Sequence, residues 1–181
     1  MSPPAFAAML TLAFAPSGLA YSSAPAGVVQ RQPPAASCHA SGSGLTQLPD
    51  RRCTPGAVNP AVTQATIART ICSAGWTATV RPPERVTEPE KLASLRAYGE
   101  SGASRYEYDH LVPLELGGAV NDARNLWPEP DYATRRGFDL NPKDKLETTL
   151  KHRVCDGLVT LAEAQRQIAS NWVAAMRRYG S

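Results

Sequence analysis

The stretch from Tyr106 to Pro130 constrains the fold of this 181-residue chain more than any other part. It reads Tyr-Glu-Tyr-Asp-His-Leu-Val-Pro-Leu-Glu-Leu-Gly-Gly-Ala-Val-Asn-Asp-Ala-Arg-Asn-Leu-Trp-Pro-Glu-Pro and sets an Asp-His pair a fixed distance before an Asn. Asp109 is a hard oxygen ligand of the kind Mg²⁺ or Mn²⁺ accepts. His110 carries an imidazole whose ordinary pKa, about 6.5, suits a general base near neutral pH. Adjacent residues in a strand point to opposite faces. For both groups to serve one site, the strand must end or twist at Asp109-His110, and Pro113 with Gly117-Gly118 supplies such a break.

This order of residues resembles the HNH, or ββα-metal, nuclease motif: an Asp-His closing a first strand, a Gly-containing loop, an Asn-Leu opening a second strand, then a helix. The pieces here are Asp109-His110, the loop from Glu115 to Arg124, Asn125-Leu126, and a helix starting near Asn141. More narrowly, Asp-His-Leu-Val-Pro-Leu-Glu-Leu-Gly-Gly, Asn-Leu-Trp-Pro-Glu-Pro and Lys143-Asp144 resemble a group of small secreted bacterial HNH-like proteins. That resemblance runs roughly from Leu48 to Tyr179, and the catalytic motif itself covers about Tyr106 to Leu150. It implies an α+β fold in which a small ββα-metal unit is flanked by helices within one domain. It also implies a metal-dependent endonuclease that hydrolyses DNA phosphodiester bonds with little sequence specificity, DNA being favoured over RNA as partner.

On that resemblance His110 takes a proton from the attacking water, and Asn125 hydrogen-bonds across the loop to fix the backbone that carries His110. Asp109 holds one divalent ion, Mg²⁺ or Mn²⁺, with Zn²⁺ a further candidate. In the family the helix adds a metal ligand, typically His or Asn, and here the pattern departs: the first His after His110 is His152, deep in the expected helix. Asn141 is the best match, because Asn141-Pro142 reads as an N-cap followed by Pro at the first helical position. Asp144, one turn in, competes for the role. Capping and helix-dipole stabilisation account for both residues equally well. The segment Asp131 to Leu140 is long against the compact family pattern. Arg124, Arg135 and Lys143 are the candidates for contact with substrate phosphate.

Length and composition point to one domain. The first fifty residues contribute little to a core, which leaves about 130, a usual single-domain size. A net charge of +3 is mild. The 15 Arg against 4 Lys favour bidentate phosphate contacts, yet GC-rich coding produces the same bias, so charge is compatible with nucleic acid without arguing for it. Ala5 to Ala15 is an apolar run of signal-peptide length, too short for a membrane span, although no Lys or Arg precedes Arg31. The expected organisation is a signal over 1–24, a flexible Ser-, Gly- and Pro-rich linker over 25–50, and an HNH-like domain over 51–181 with its core about 106–155. A disordered Ala/Pro-rich extension is the other reading of the N-terminus.

Four cysteines, Cys38, Cys53, Cys72 and Cys155, are even in number and contain no Cys-x-x-Cys pair, which argues against zinc knuckles and for disulfides in an exported protein. Three full connectivities exist. Cys53 or Cys72 joined to Cys155 is preferred, with Cys38 free or paired with Cys53. The expected product is a secreted or cell-envelope monomer without stable membrane association; any immunity or inhibitor partner is unspecified.

Around the motif, the pattern predicts a short helix from Asn59 to about Cys72, a strand at Trp76 to Val80, and a helix from Glu88 to Tyr98 capped by Gly99. Leu146, Leu150 and Val154 recur at helical spacing on a helix from Pro142 to Cys155. Thr160 with Glu163 signals a capping box for a last helix whose buried face is Leu161, Ile168, Trp172 and Tyr179. Arg177-Arg178 suit its C-terminal dipole, and His39 and His152 read as surface residues. A secreted binding or structural module that keeps the ββα shape without turnover is the rival reading. A secreted zinc hydrolase is poorer, since the chain lacks a His-Glu-x-x-His pair.

Overall fold

The computed structural model describes residues 31–131 and 141–180. The expected signal at 1–24, the start of the expected linker, and Arg135 lie outside the described residues. The architecture is α+β: a two-stranded antiparallel hairpin followed by helices, braced by two disulfides. Strand β1 (Tyr106–His110) pairs with β2 (Leu126–Pro130), placing Asp109 opposite Trp127 and His110 opposite Leu126. Pro128 and Pro130 alternate along β2, so their missing N–H groups fall on one side, which a two-stranded ribbon can leave outside the ladder.

Among the described residues, four α-helices accompany the hairpin: α1 (Trp76–Val80), α2 (Glu84–Ala97), α3 (Pro142–Cys155) and α4 (Leu161–Tyr179). Helix α2 packs on both strands, while α3 packs on α4 and on the 3-10 turn Leu114–Leu116 inside the hairpin connection. The stripe Leu146, Leu150 and Val154 is fully buried, and it meets Leu161, Ile168, Trp172 and Tyr179 of α4 in one core with Leu111, Val112, Leu116 and Trp127. Truncating a buried Leu in such a core costs about 2–5 kcal/mol. Thr160 caps α4 by accepting the Glu163 N–H at 3.2 Å. Within α4, Asn171 leaves helical dihedrals (φ −167°, ψ 92°), and its Oδ1 accepts the Ala174 N–H, re-starting the helix.

Helix α3 matches the expected bounds, and Gly157 (φ 73°) follows its Asp156 C-cap. Three other expectations are corrected. Trp76 to Val80 is a helix, because among the described residues the hairpin is the only sheet, so a strand there has no ladder partner for its backbone groups. The stretch from Asn59 to Cys72 is a series of turns with one 3-10 turn, Ile67–Arg69. There Asn59 Oδ1 takes the Ala61 N–H and Thr66 Oγ1 takes the Thr63 N–H, the local side-chain bonds that compete with a helix. Helix α2 begins one turn earlier than Glu88, directly after Pro83, and runs through Pro89.

The linker boundary is corrected too. Residues 36–50 are docked: Cys38 is fully buried and bonded to Cys53, and the Ala36 and Cys38 N–H groups donate to Arg96 and Ala97 carbonyls. Trp172 Nε1 donates to the Gln47 carbonyl at 3.1 Å. The second disulfide joins Cys72 to Cys155 across 83 residues. Two closed disulfides indicate an oxidising, extracytoplasmic environment. Among the described residues no helix is long and apolar enough to cross a membrane.

Candidate functional site

Strand β1 ends at His110, and the chain turns there under the control of a buried side chain. Asn125, fully buried, accepts the Val112 N–H on Oδ1 at 2.9 Å and donates through Nδ2 to the Val112 carbonyl (2.9 Å) and the Ala119 carbonyl (3.1 Å). Its own carbonyl accepts the Leu111 N–H at 2.7 Å. One residue thereby clamps both ends of the hairpin connection. Gly118 is required beneath it: a Cβ there would lie 1.7 Å from the Val112 carbonyl oxygen and 2.7 Å from Asn125 Nδ2. Gly117 adopts φ 70°, the left-handed region that glycine enters without strain.

His110 is 6 % exposed, and its Nε2 lies 3.0 Å from the Val120 carbonyl oxygen. A carbonyl only accepts, so Nε2 carries the proton and Nδ1 is the basic nitrogen. Burial holds the imidazole below its ordinary pKa, against the opposing pull of the Asp109 charge and the Val120 bond. The ring is therefore neutral at pH 7. Asp109 and His110 both line one cavity of about 190 Å³, so the strand end turns two consecutive side chains into a common space.

Beneath the cavity lies a buried charge cluster. Lys143, with no exposed side-chain surface, donates from Nζ to Asp109 Oδ2 and to Glu147 Oε1 (2.5 Å), and stands 3.3 Å from Glu129 Oε2. Burial opposes its charge, but the three carboxylates outweigh that and raise its pKa well above the ordinary value. For Asp109, burial pushes upward while Lys143 and His110 pull the carboxyl below its usual range. The remaining acids go the other way. Burial raises Glu147 to about 8 despite Lys143, raises Glu107 to about 8 with help from Asp109 and Asp144, and raises Glu129 strongly. At pH 7 the cluster thus consists of one buried ion pair, Lys143 with Asp109, among carboxyls that tend to hold protons.

Of the residues that the sequence singles out, the structure brings together Asp109, His110 and Asp144 around the cavity, with Asn125 supporting the loop. Asn141 is turned away. It is the α3 N-cap in a capping box with Asp144, whose Oδ2 accepts the Asn141 N–H at 2.9 Å, and its Nδ2 donates to Glu107. The capping function takes it out of the space that Asp109 and His110 share. Arg124 is exposed and committed to Asp122 at 2.6 Å, so it is not a cavity residue, and Lys143 faces the interior carboxylates rather than solvent. His39 and His152 are exposed.

The motif does not point to several residues that line the cavity: Thr77 and Arg81 from α1 and its C-cap, Glu115 from the hairpin connection, and Glu147 and Thr148 from α3. Glu147 has a legible signal, its i,i+4 spacing from Lys143. Lys143 also falls on the same helical stripe as Leu146, Leu150 and Val154, which marks it for burial. Arg81 has no local signal, because it reaches the cavity from a distant segment. Among the described residues no three His, Cys, Asp or Glu side chains converge as a ready-made metal cage. No protein-family model, curated protein or solved structure matches the chain.

Proposed function

We propose that this chain is an exported, metal-dependent HNH-like endonuclease that hydrolyses phosphodiester bonds in DNA with little sequence preference. The observation that carries the reading is the strand end at which the Asp109 carboxylate and a neutral, proton-accepting His110 imidazole open into one cavity. His110 Nδ1 accepts a proton from water directed at phosphorus, with the ring held by Val120 and its backbone held by Asn125. The donor chemistry fits a hard divalent ion. Asp109 and Asp144, which both line the cavity, offer one or two carboxylates, the partial ligand set Mg²⁺ or Mn²⁺ takes when water and phosphate complete the shell, and Glu147 would join them only by giving up its proton. Zn²⁺ fits less well, since His110 is the one imidazole lining this cavity and all four cysteines are in disulfides. When bound, such an ion supplies charge to a non-bridging phosphate oxygen and to the leaving 3′ oxygen.

Nothing in the cavity resembles a base-reading element, and contact through phosphate alone carries no sequence information. Secretion of a monomer after signal cleavage completes the reading. The rival, a secreted binding module with the same shape but no turnover, is favoured by one observation: the Lys143 ammonium already engages Asp109 Oδ2. Plasmid cleavage by the mature chain with Mg²⁺, Mn²⁺, Zn²⁺ or EDTA, beside Asp109→Ala and His110→Ala, separates the two. The expected result is metal-dependent nicking lowered at least about a hundredfold in His110→Ala. Intact plasmid under every metal, from folded wild-type protein, supports the binding module instead.

A further inference from the structure

We propose that Arg81, with the Thr77 hydroxyl one turn before it, forms the subsite that binds the phosphodiester of the nucleic-acid backbone at this cavity. The inference rests on the nuclease reading above and adds to it a residue from outside the hairpin and α3. Arg81 is the C-cap of α1, its N–H bonded to the Thr77 carbonyl at 3.1 Å, so the two side chains share one helix face. Both line the cavity with Asp109 and His110.

The Arg81 guanidinium forms no hydrogen bond or ion pair with any described residue, although Asp109, Glu115, Asp144 and Glu147 line the same cavity. Elsewhere Arg52, Arg124 and Arg166 are each neutralised by a neighbouring carboxylate. An uncommitted guanidinium in the wall of the cavity that Asp109 and His110 share presents the planar fork that grips a phosphate through two oxygens. Its placement does not depend on its own contacts. Cys72, just before α1, is covalently tied to Cys155 at the end of α3, and Pro82-Pro83 restricts the backbone on the other side. The crosslink thus ties the segment leading into α1 to the C-terminal end of the helix that carries Asp144, Glu147 and Thr148.

The test compares wild type with Arg81→Ala, Arg81→Lys, Arg124→Ala and His110→Ala in the disulfide-bonded protein with Mg²⁺. Arg124→Ala removes the same charge from a site already paired with Asp122, so it controls for net charge. Single-turnover cleavage of supercoiled plasmid should fall about a hundredfold in Arg81→Ala and recover in part in Arg81→Lys. Binding of a short fluorescent DNA duplex is measured as a function of KCl in the His110→Ala background. Adding Arg81→Ala there should lower the log–log salt slope by about one unit, whereas adding Arg124→Ala should leave it nearly unchanged. Because the Arg81 side chain is exposed and unbonded, melting temperatures should agree among the Arg81 variants and wild type. Wild-type rate and slope in Arg81→Ala, with His110→Ala inactive, overturn the subsite and leave the nuclease reading standing. Equal losses in Arg81→Ala and Arg124→Ala overturn it as well, since the effect is then one of net charge. Wild-type protein inert with every metal removes the nuclease reading and this subsite with it.

Discussion

Replacing Lys143 with Met removes the cation that bridges Asp109, Glu129 and Glu147, at a position with no exposed side-chain surface. The magnitude follows from what Asp109 must then do. Burial raises Glu147 to about 8 and pushes Glu129 well above its ordinary value, which favours their protonated forms, so the new uncompensated charge is chiefly that of Asp109. In the variant its folded-state pKa rises above the ordinary 3.8, and the folded protein takes up a proton that the unfolded chain does not hold. From 3.8 to pH 7 is about three units at about 1.4 kcal/mol each, so the destabilisation is bounded near 4 kcal/mol at pH 7. This sits within the range for breaking a buried pair from one side. The sign sets the pH dependence: the cost grows as pH rises above the unfolded value, so it should be about 2–3 kcal/mol smaller at pH 5 than at pH 7. Urea unfolding of wild type and Lys143→Met in EDTA at both pH values measures it. In Lys143→Met/Asp109→Asn, where no charge is left, most of the loss at pH 7 should be recovered. A loss of equal size at both pH values, or a double variant no better than Lys143→Met, refutes the reasoning.

Asn125→Ala deletes three bonds to loop backbone, two of them buried, and should cost about 3 kcal/mol at about 1 kcal/mol each, read as a lowered urea midpoint; a loss under half of that shows that the loop holds itself. Removing Cys72–Cys155 as a pair of serines should cost about 4–5 kcal/mol and removing Cys38–Cys53 about 3, because the first closes a separation of 83 residues and the second 15; the reverse order in thermal unfolding contradicts the entropic argument. Asp50 is held below its ordinary carboxylate value first by the Arg52 side chain, with the His39 and Arg52 N–H groups adding to it. Its contribution is therefore present above the unfolded value of 3.8 and lost as pH falls from there through the folded-state value. Asp50→Asn should destabilise by about 2 kcal/mol at pH 7 and keep most of that effect at pH 3, the difference from wild type closing only as pH falls further through the folded-state value, as followed by circular dichroism.

How much of the site is legible in the sequence depends on how local its signals are. Asp109-His110 and Asn125 lie on one hairpin, and the chemistry of a strand end, a Gly-Gly turn and a buried Asn is written within twenty-five residues, so their relation follows from the order of the residues. The apolar stripe of α3 and the cap of α4 are equally local. Asn141 illustrates the limit: its sequence context is identical whether it caps the helix or faces a metal, and only the fold shows it in a capping box with its Nδ2 donating to Glu107. Residues Trp76–Val80 show another limit, since alternation favours a strand but a strand also needs a neighbour.

The amino-acid sequence alone determines the hairpin with its two polar ends, the α3 and α4 helices with their buried faces, and an even set of cysteines suited to an oxidising environment. These follow from periodicity, capping and turn chemistry, each of which acts over a few residues. Tertiary structure decides which cysteines pair, that the 36–50 segment is docked, that Lys143 is buried among three acidic side chains, and that Arg81 lines the same cavity as His110. Those facts depend on segments tens of residues apart being brought together, where loop closure, desolvation and the pairing of buried charges set the outcome.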